Sequence, residues 1–255
     1  MITIVKIGGH VIDDEQALAA FLDDFAALPS KKILVHGGGK LASRLCEQLH
    51  IPITMIDGRR VTDRATLDVA IMTYGGLINK RIVAMLNARQ CRAIGLSGAD
   101  ANVMQATKRP VGAIDYGWVG DITPLNVDSN TLLGLLNLGL TPIVCALTHD
   151  GHGNMLNTNA DSIASALACA LATLTPVNLV YCFEKDGVLS DVNDTSSVIG
   201  TITRPDYERL ASQGAVARGM KPKLDEAFNA RESGVASVII KNANALLKAG
   251  GTRID

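Results

Sequence analysis

The sequence predicts an α/β fold organised around a mainly parallel sheet. Three features carry that expectation. Short β-branched runs end in glycine clusters, with Ile2–Ile7 running into Gly8-Gly9 and residues 33–36 running into Gly37-Gly38-Gly39. Each cluster is followed by a segment with helical apolar spacing, such as Leu18, Phe21, Leu22 and Phe25 within residues 13–28. This strand, turn and helix alternation then recurs toward the C-terminus, as parallel sheets with crossover helices require.

The elements follow in order. Helices are expected at 13–28, beginning at Asp13-Asp14, and from about Lys40. A long helix spans 65–86, followed by a strand at 91–96 and a turn at Ser97-Gly98-Ala99-Asp100. Residues 103–120 break the pattern with Gly112, Gly117 and Gly120 and no helical period, and read as a hairpin excursion. Helix 129–138 and strand 142–147 lead to a Gly-rich turn at 149–154. Then come helix 161–172, strand 177–183, the turn Glu184-Lys185-Asp186-Gly187, helices 206–212 and 224–233, and a last strand at 237–241.

Composition narrows the classes of function. At 255 residues with 47% hydrophobic content but only four Phe, four Tyr and one Trp, the core is aliphatic. Lys plus Arg (24) balances Asp plus Glu (25) with no block of either sign, which argues against a nucleic-acid partner. The five cysteines lie far apart without C-x-x-C or metal-ligand spacing, and no signal segment precedes the first strand. A reducing cytoplasm is the expected setting. Residues 162–183 carry no charge before Glu184, yet Pro176 and Asn178 interrupt them, so a buried helix feeding a buried strand is expected rather than a membrane span.

Several constellations bear on chemistry. Asn157-Thr158-Asn159-Ala160-Asp161 opens the small-residue helix with two amides and an acid, more than one helix cap needs. Both glycine clusters sit at the carboxyl ends of strands, the edge where open α/β sheets bind ligands. Backbone N–H groups there can approach an anion with no Cβ in the way. Lys6 stands inside an apolar strand immediately before Gly8-Gly9, and Arg218, Lys221 and Lys223 cluster ahead of a late helix. Two lysines meeting Asp161 would suit phosphoryl transfer, which depends on positioning and charge stabilisation. Residues 37–42 also fit G-x-G-x-x-G/A, with Asp57 at a suitable distance for a ribose, so a nicotinamide-dependent oxidoreductase is the rival reading. His149 and His152 form H-x-x-H in a turn with no third ligand, and no metal site is expected there.

Together these motifs resemble the amino-acid kinase family. The resemblance covers nearly the whole chain and rests on Lys6-Ile7-Gly8-Gly9, His36 to Gly39, Asp57 to Thr62, Gly95 to Asp100, Val119-Gly120-Asp121, Asn157 to Asp161, and Gly219 to Lys223. It implies a three-layer α/β/α sandwich of two lobes, residues 1–173 for an N-acyl-L-glutamate acceptor and dimerisation, and 174–255 for ATP. The implied reaction moves the γ-phosphoryl of ATP onto the acceptor's side-chain carboxylate. Lys6 and Lys223 would stabilise the transferring group, with Asp161 organising both. Gly38, Gly39, Arg60 and Asn157 would bind the acceptor. Gly8, Gly9, the turn Glu184-Lys185-Asp186-Gly187-Val188-Leu189 and Ala215-Val216-Ala217 would border the nucleotide, with Mg²⁺ arriving on ATP.

Two departures from the family pattern fall on the nucleotide side: Glu184 in place of Asp, and Lys221 in place of an apolar residue before Pro222-Lys223. Arginine-inhibited relatives carry an additional N-terminal helix that builds hexamers, so a homodimer insensitive to arginine is expected. Acetyl is the default acyl group. A larger one such as succinyl would need changes only around 110–121, where Tyr116 and Trp118 are expected to line the pocket. A non-enzymatic amino-acid sensor of the same fold would need no lysine pair.

Overall fold

The computed structural model describes residues 1–56, 58–191, 193–212 and 220–255. Its centre is an eight-stranded sheet. In chain order the strands are β1 (Ile2–Ile7), β2 (Lys31–His36), β3 (Ala93–Leu96), β4 (Thr141–Cys145), β5 (Val177–Phe183), β6 (Thr201–Ile202), β7 (Ser237–Asn242) and β8 (Thr252–Ile254). Their spatial order is β6-β8-β7-β5-β1-β2-β4-β3, parallel throughout except for the antiparallel β7–β8 pair. Strand β1 pairs with β2 on one side and β5 on the other, each over six residues. The sheet is therefore built outward from β1 first on one side and then on the other, which opens a crevice at its carboxyl end. The sheet also runs unbroken across the expected lobe boundary at 173/174.

The strands are apolar on both faces, as a sheet covered on both sides must be. One face sends Ile4, Val35, Val144 and Leu179 into a core with Leu132 and Leu136, Ile163 and Leu167, and Leu224 and Phe228. The other sends Val5, Leu34, Ile143 and Val180 against Leu18, Phe21, Leu22, Ala42, Ile82 and Leu86. This is the three-layer α/β/α arrangement that the family resemblance implies. The period of two along β1 puts Lys6 on the same face as Ile4.

The helices differ from expectation in informative places. Helices α1 (Gly9–Asp13) and α2 (Glu15–Ala27) follow β1, and Asp14 caps α2 by accepting from Gln16 and Ala17 N–H. Helix α3 (Gly39–Gln48) starts directly behind the second glycine cluster. The expected helix 65–86 is α4 (Arg64–Ala70), a π-helical segment (Ile71–Ile78) and α5 (Asn79–Ala88) in continuous succession. Gly38 packs tightly against the π segment: a Cβ there would lie 2.2 Å from Ile78 Cδ1 and 2.9 Å from Tyr74 Cδ1. The glycine loop thus touches the widened turn, a common setting for π segments at functional sites. The run Arg64–Ala88 is long and apolar enough to cross a membrane, but Leu67, Val69, Tyr74, Ile82 and Leu86 lie in the core.

Helices α6 (Ser129–Asn137), α7 (Ala160–Ala172), α8 (Arg204–Ser212) and α9 (Lys221–Glu232) cover the first-named face. Residues 162–183 divide into α7 and β5, both in the core. The irregular region 103–120 is no self-contained hairpin. Its strands Thr107–Lys108 and Val119–Asp121 join Met155–Thr158 and Leu147–His149 in a second, four-stranded sheet. This sheet continues from the end of β4 and overhangs the crevice. All five cysteines are free and buried.

Candidate active site

Asp161 is placed by its own helix. Asn159 caps α7, accepting from Asp161 N–H at 2.7 Å and Ser162 N–H at 3.2 Å, and the Tyr181 hydroxyl donates to the Asp161 carbonyl at 3.3 Å. The amide at 159 is thus spent on the cap, which frees the acid for other work. Asp161 Oδ1 lies 2.6 Å from Lys6 Nζ, and Oδ2 accepts from Lys223 Nζ at 3.0 Å. Burial alone would raise this carboxyl, but Lys6 and Lys223 outweigh it and hold it at about 2. Burial also pulls the Lys6 ammonium below its ordinary value, with Asp161 opposing the shift and Lys223 adding to it.

Lys223 reaches this point because α9 begins at Lys221, three residues ahead of the expected start at 224, and so carries the lysine in its first turn. One turn on, Glu226 accepts from the Ser162 hydroxyl at 2.6 Å, and its carbonyl accepts from Ser165 at 3.3 Å. The small side chains of α7 let α9 come this close. Arg218 and Gly219 lie outside the described residues.

Two clefts meet at this triad. The first, of about 260 Å³, is walled by Lys6, Gly9, Gly37 to Gly39, Arg60, Asn157 and Asp161. The second, of about 560 Å³, is bordered by Gly8, Gly9, Gly39, Phe183, Glu184 and Lys223. Gly9, Gly39 and Arg60 belong to both. Lys6 therefore faces one cleft and Lys223 the other, with Asp161 between them.

In the first cleft Arg60 Nη2 donates to the Gly39 carbonyl at 3.0 Å and to Ser43 Oγ at 2.7 Å, while its Nη1 is buried without a partner among the described residues. A guanidinium held at one nitrogen and unsatisfied at the other is built to receive an anion. Asn157 Nδ2 donates to Thr62 Oγ1 at 3.0 Å, tying the second sheet to the segment just after the Arg59–Arg60 strand, and its side-chain oxygen has no partner among the described residues. His36 is wholly buried and kept neutral, its pKa pushed down to about 4 by burial. It is held between Asn79 Nδ2 at 3.1 Å and the Gly37 carbonyl at 2.8 Å. Because a trans peptide points its N–H opposite its C=O, fixing the Gly37 carbonyl also fixes the Gly38 N–H.

On the nucleotide side the expected residues serve unequal roles. Gly8 N–H is taken by the Cys182 carbonyl at 3.2 Å, so the glycine lines the cleft without a free donor. Glu184 is exposed, 3.8 Å from His10. Lys185 is half-buried, and Asp186 accepts from Asn242 at 2.9 Å. Gly187 and Val188 pack against Thr252, whose hydroxyl accepts from Val188 N–H at 2.8 Å, and Leu189 bridges to Val198. Ala215, Val216 and Ala217, and the ribose candidate Asp57, lie outside the described residues.

One expectation is corrected. Tyr116 and Trp118 do not line the acceptor cleft; Trp118 is held between Arg64 at 3.4 Å and Lys108 at 4.1 Å, and Tyr116 stacks on Arg109 at 5.1 Å. Aromatic rings near a cleft are drawn instead to the cations around them. Arg109, which the sequence gave no reason to select, lines the cleft in their place. No group of three or more His, Cys, Asp or Glu able to hold a metal occurs among the described residues.

The profile of the amino acid kinase family matches residues 1–242. The chain belongs to the amino acid kinase family. Relatives of this amino acid kinase include proteins named acetylglutamate kinase. That of Cytophaga hutchinsonii is 55% identical over 96% of this chain and 92% of its own. That of Bacteroides thetaiotaomicron is 50% identical over 99% of this chain and 98% of its own. Among solved structures, N-acetylglutamate synthase from Neisseria gonorrhoeae, complexed with coenzyme A and N-acetyl-glutamate, superposes with a TM-score of 0.83 at 24% identity, covering 99% of this chain and 59% of that one. Carbamate kinase from Giardia lamblia bound to AMP-PNP superposes with a TM-score of 0.72 at 14% identity, covering 99% and 97%. These two likenesses bear on the fold alone.

Proposed function

We propose that this amino acid kinase transfers the γ-phosphoryl group of ATP to the side-chain carboxylate of an N-acyl-L-glutamate, yielding an acyl phosphate and ADP. The shared name of its relatives supplies acetyl as the acyl group and arginine biosynthesis as the setting. The observation that carries the reading is Asp161 holding Lys6 in one cleft and Lys223 in the other.

The acceptor carboxylate is ionised at neutral pH, so it attacks without a general base. An oxygen of that carboxylate forms a bond to the γ-phosphorus while the bond to the β–γ bridging oxygen breaks and its electron pair leaves with ADP. Lys6 meets the transferring group from the acceptor side and Lys223 from the donor side. Asp161 holds the two ammonium groups in place, one on each carboxylate oxygen. N–H groups of Gly9, Gly38 and Gly39 complete the cradle. Arg60 Nη1 takes the α-carboxylate, and Asn157 meets the acyl amide. Mg²⁺ enters on the phosphates of ATP. The chain works as a cytoplasmic homodimer, with residues 1–173 binding the acceptor and 174–255 the nucleotide.

A hydroxamate-trap assay with ATP, Mg²⁺ and N-acetyl-L-glutamate tests this reading. Acyl phosphate formation that is lost in Lys6→Ala supports it. Binding of NADH without any trapped acyl phosphate would replace it with the oxidoreductase reading.

A further inference from the structure

The acceptor proposed above carries two carboxylates, and the first cleft holds receptors for both. Lys6 and the glycine N–H groups stand where the reacting carboxylate arrives, and Arg60 Nη1 stands ready for the other. A further guanidinium, that of Arg109, remains on the wall formed by the second sheet. Its backbone N–H donates to the Val119 carbonyl at 2.8 Å, and Val119 pairs with Asn157, so Arg109 is rooted beside the residue that meets the acyl amide.

The guanidinium is oriented on three sides. Its Nε donates to both Asp121 oxygens at 3.1 Å, its Nη2 also donates to Asp121, and its face lies over Tyr116 at 5.1 Å. Nη1 donates to no group among the described residues. The Arg109 side chain is 18% exposed and that of Asp121 is 46% exposed, so the cation lies inward and its counter-ion outward. An acetyl methyl offers such a group nothing, since a guanidinium gains only from an acceptor, and most from an anionic one.

We propose that Arg109 receives a third carboxylate, borne at the end of the acyl group, and that the favoured acceptor is an N-acyl-L-glutamate with an anionic acyl chain such as succinyl. Asp121 neutralises the guanidinium in the empty cleft and shares it once that carboxylate arrives. The inference rests on the phosphotransfer reading and specifies the acyl group that reading leaves to similarity.

The test compares kcat/KM by hydroxamate trap for N-acetyl-, N-succinyl- and N-succinamoyl-L-glutamate, the last being a neutral isostere of the second. The unaltered chain should favour succinyl over succinamoyl by about tenfold or more, the value of one charge-assisted hydrogen bond. In Arg109→Gln that ratio should collapse toward unity, mainly through KM, with the ATP-induced thermal shift in the same variant reporting that the fold and the nucleotide cleft are intact. Should Arg109→Gln fail to fold, Asp121→Asn serves instead, because it frees the guanidinium and should keep or raise the preference. Equal handling of succinyl and succinamoyl by the unaltered chain would overturn the inference. So would a ratio unmoved in Arg109→Gln, or one lost in Asp121→Asn. If none of the three is phosphorylated, the phosphotransfer reading fails and this inference fails with it.

Discussion

At the scale of single residues, Asp161 gives the site a pH signature. Its carboxyl is held at about 2, against an ordinary value of 3.8. A depressed folded-state pKa contributes stability that is complete above the unfolded value and is lost as pH falls through the folded one. Urea titrations between pH 4 and pH 2 should therefore show a loss that includes roughly 2 kcal/mol from this group, absent in Asp161→Asn. His36 acts in a higher window. Burial lowers it from 6.5 to about 4, so the unfolded chain takes up a proton between those values that the folded chain refuses. Stability should fall by up to about 3 kcal/mol from pH 6.5 to 4, and His36→Gln should flatten that slope.

Much of this chemistry was legible in the residues. Lys6 stood out because it sits in an apolar strand immediately before a Gly-Gly turn, and Asp161 because two amides and an acid exceed the needs of a cap. Arg109 was not legible. Nothing local marks an arginine at the end of a two-residue strand, and its importance comes from Val119, Asp121 and Tyr116, which the chain brings beside it only on folding.

At the scale of elements, the glycine turns after β1 and β2 follow from sequence because each needs only local information: a β-branched run, glycines and a helical period. The π segment at Ile71–Ile78 does not; it packs against Gly38, a contact that exists only in the folded chain. Placing a methyl at that contact should be costly. Gly38→Ala is expected to lose about 1–3 kcal/mol of stability in urea unfolding, as overpacked cores do, together with activity. Gly39→Ala is a useful contrast, because its Cβ would meet only Arg60 Nη2 at 4.0 Å; it should fold normally and raise KM. The cap of α7 links element to chemistry in the same way. Asn159→Ala should cost about 1 kcal/mol of stability and also lower kcat, because Asp161 is set by that first turn.

At the scale of the whole molecule, the site exists because the sheet is built outward from β1 on both sides. The strands from 93–96 and 141–145 lie on one side of β1–β2, those from 177–254 on the other, and α7 passes between the two halves to deliver Asp161. The two clefts should then be separable by ligand. ATP with Mg²⁺, or N-acetyl-L-glutamate, at about 100 times Kd should each stabilise the folded chain by about 2.7 kcal/mol. Arg60→Ala should abolish the thermal shift produced by the acyl-glutamate and retain most of that produced by ATP.

The most direct test of the central claim is kcat, by hydroxamate trap at saturating ATP and acceptor, for Lys6→Met, Lys223→Met and Asp161→Asn, with ligand-induced thermal shifts confirming that each variant still binds both. Groups that act on the transferring phosphoryl should each cost about 10²–10⁴ in kcat while binding persists. Variants that bind both ligands and turn over within about threefold of the unaltered chain would contradict the account, because the triad would then hold the fold together without taking part in the transfer.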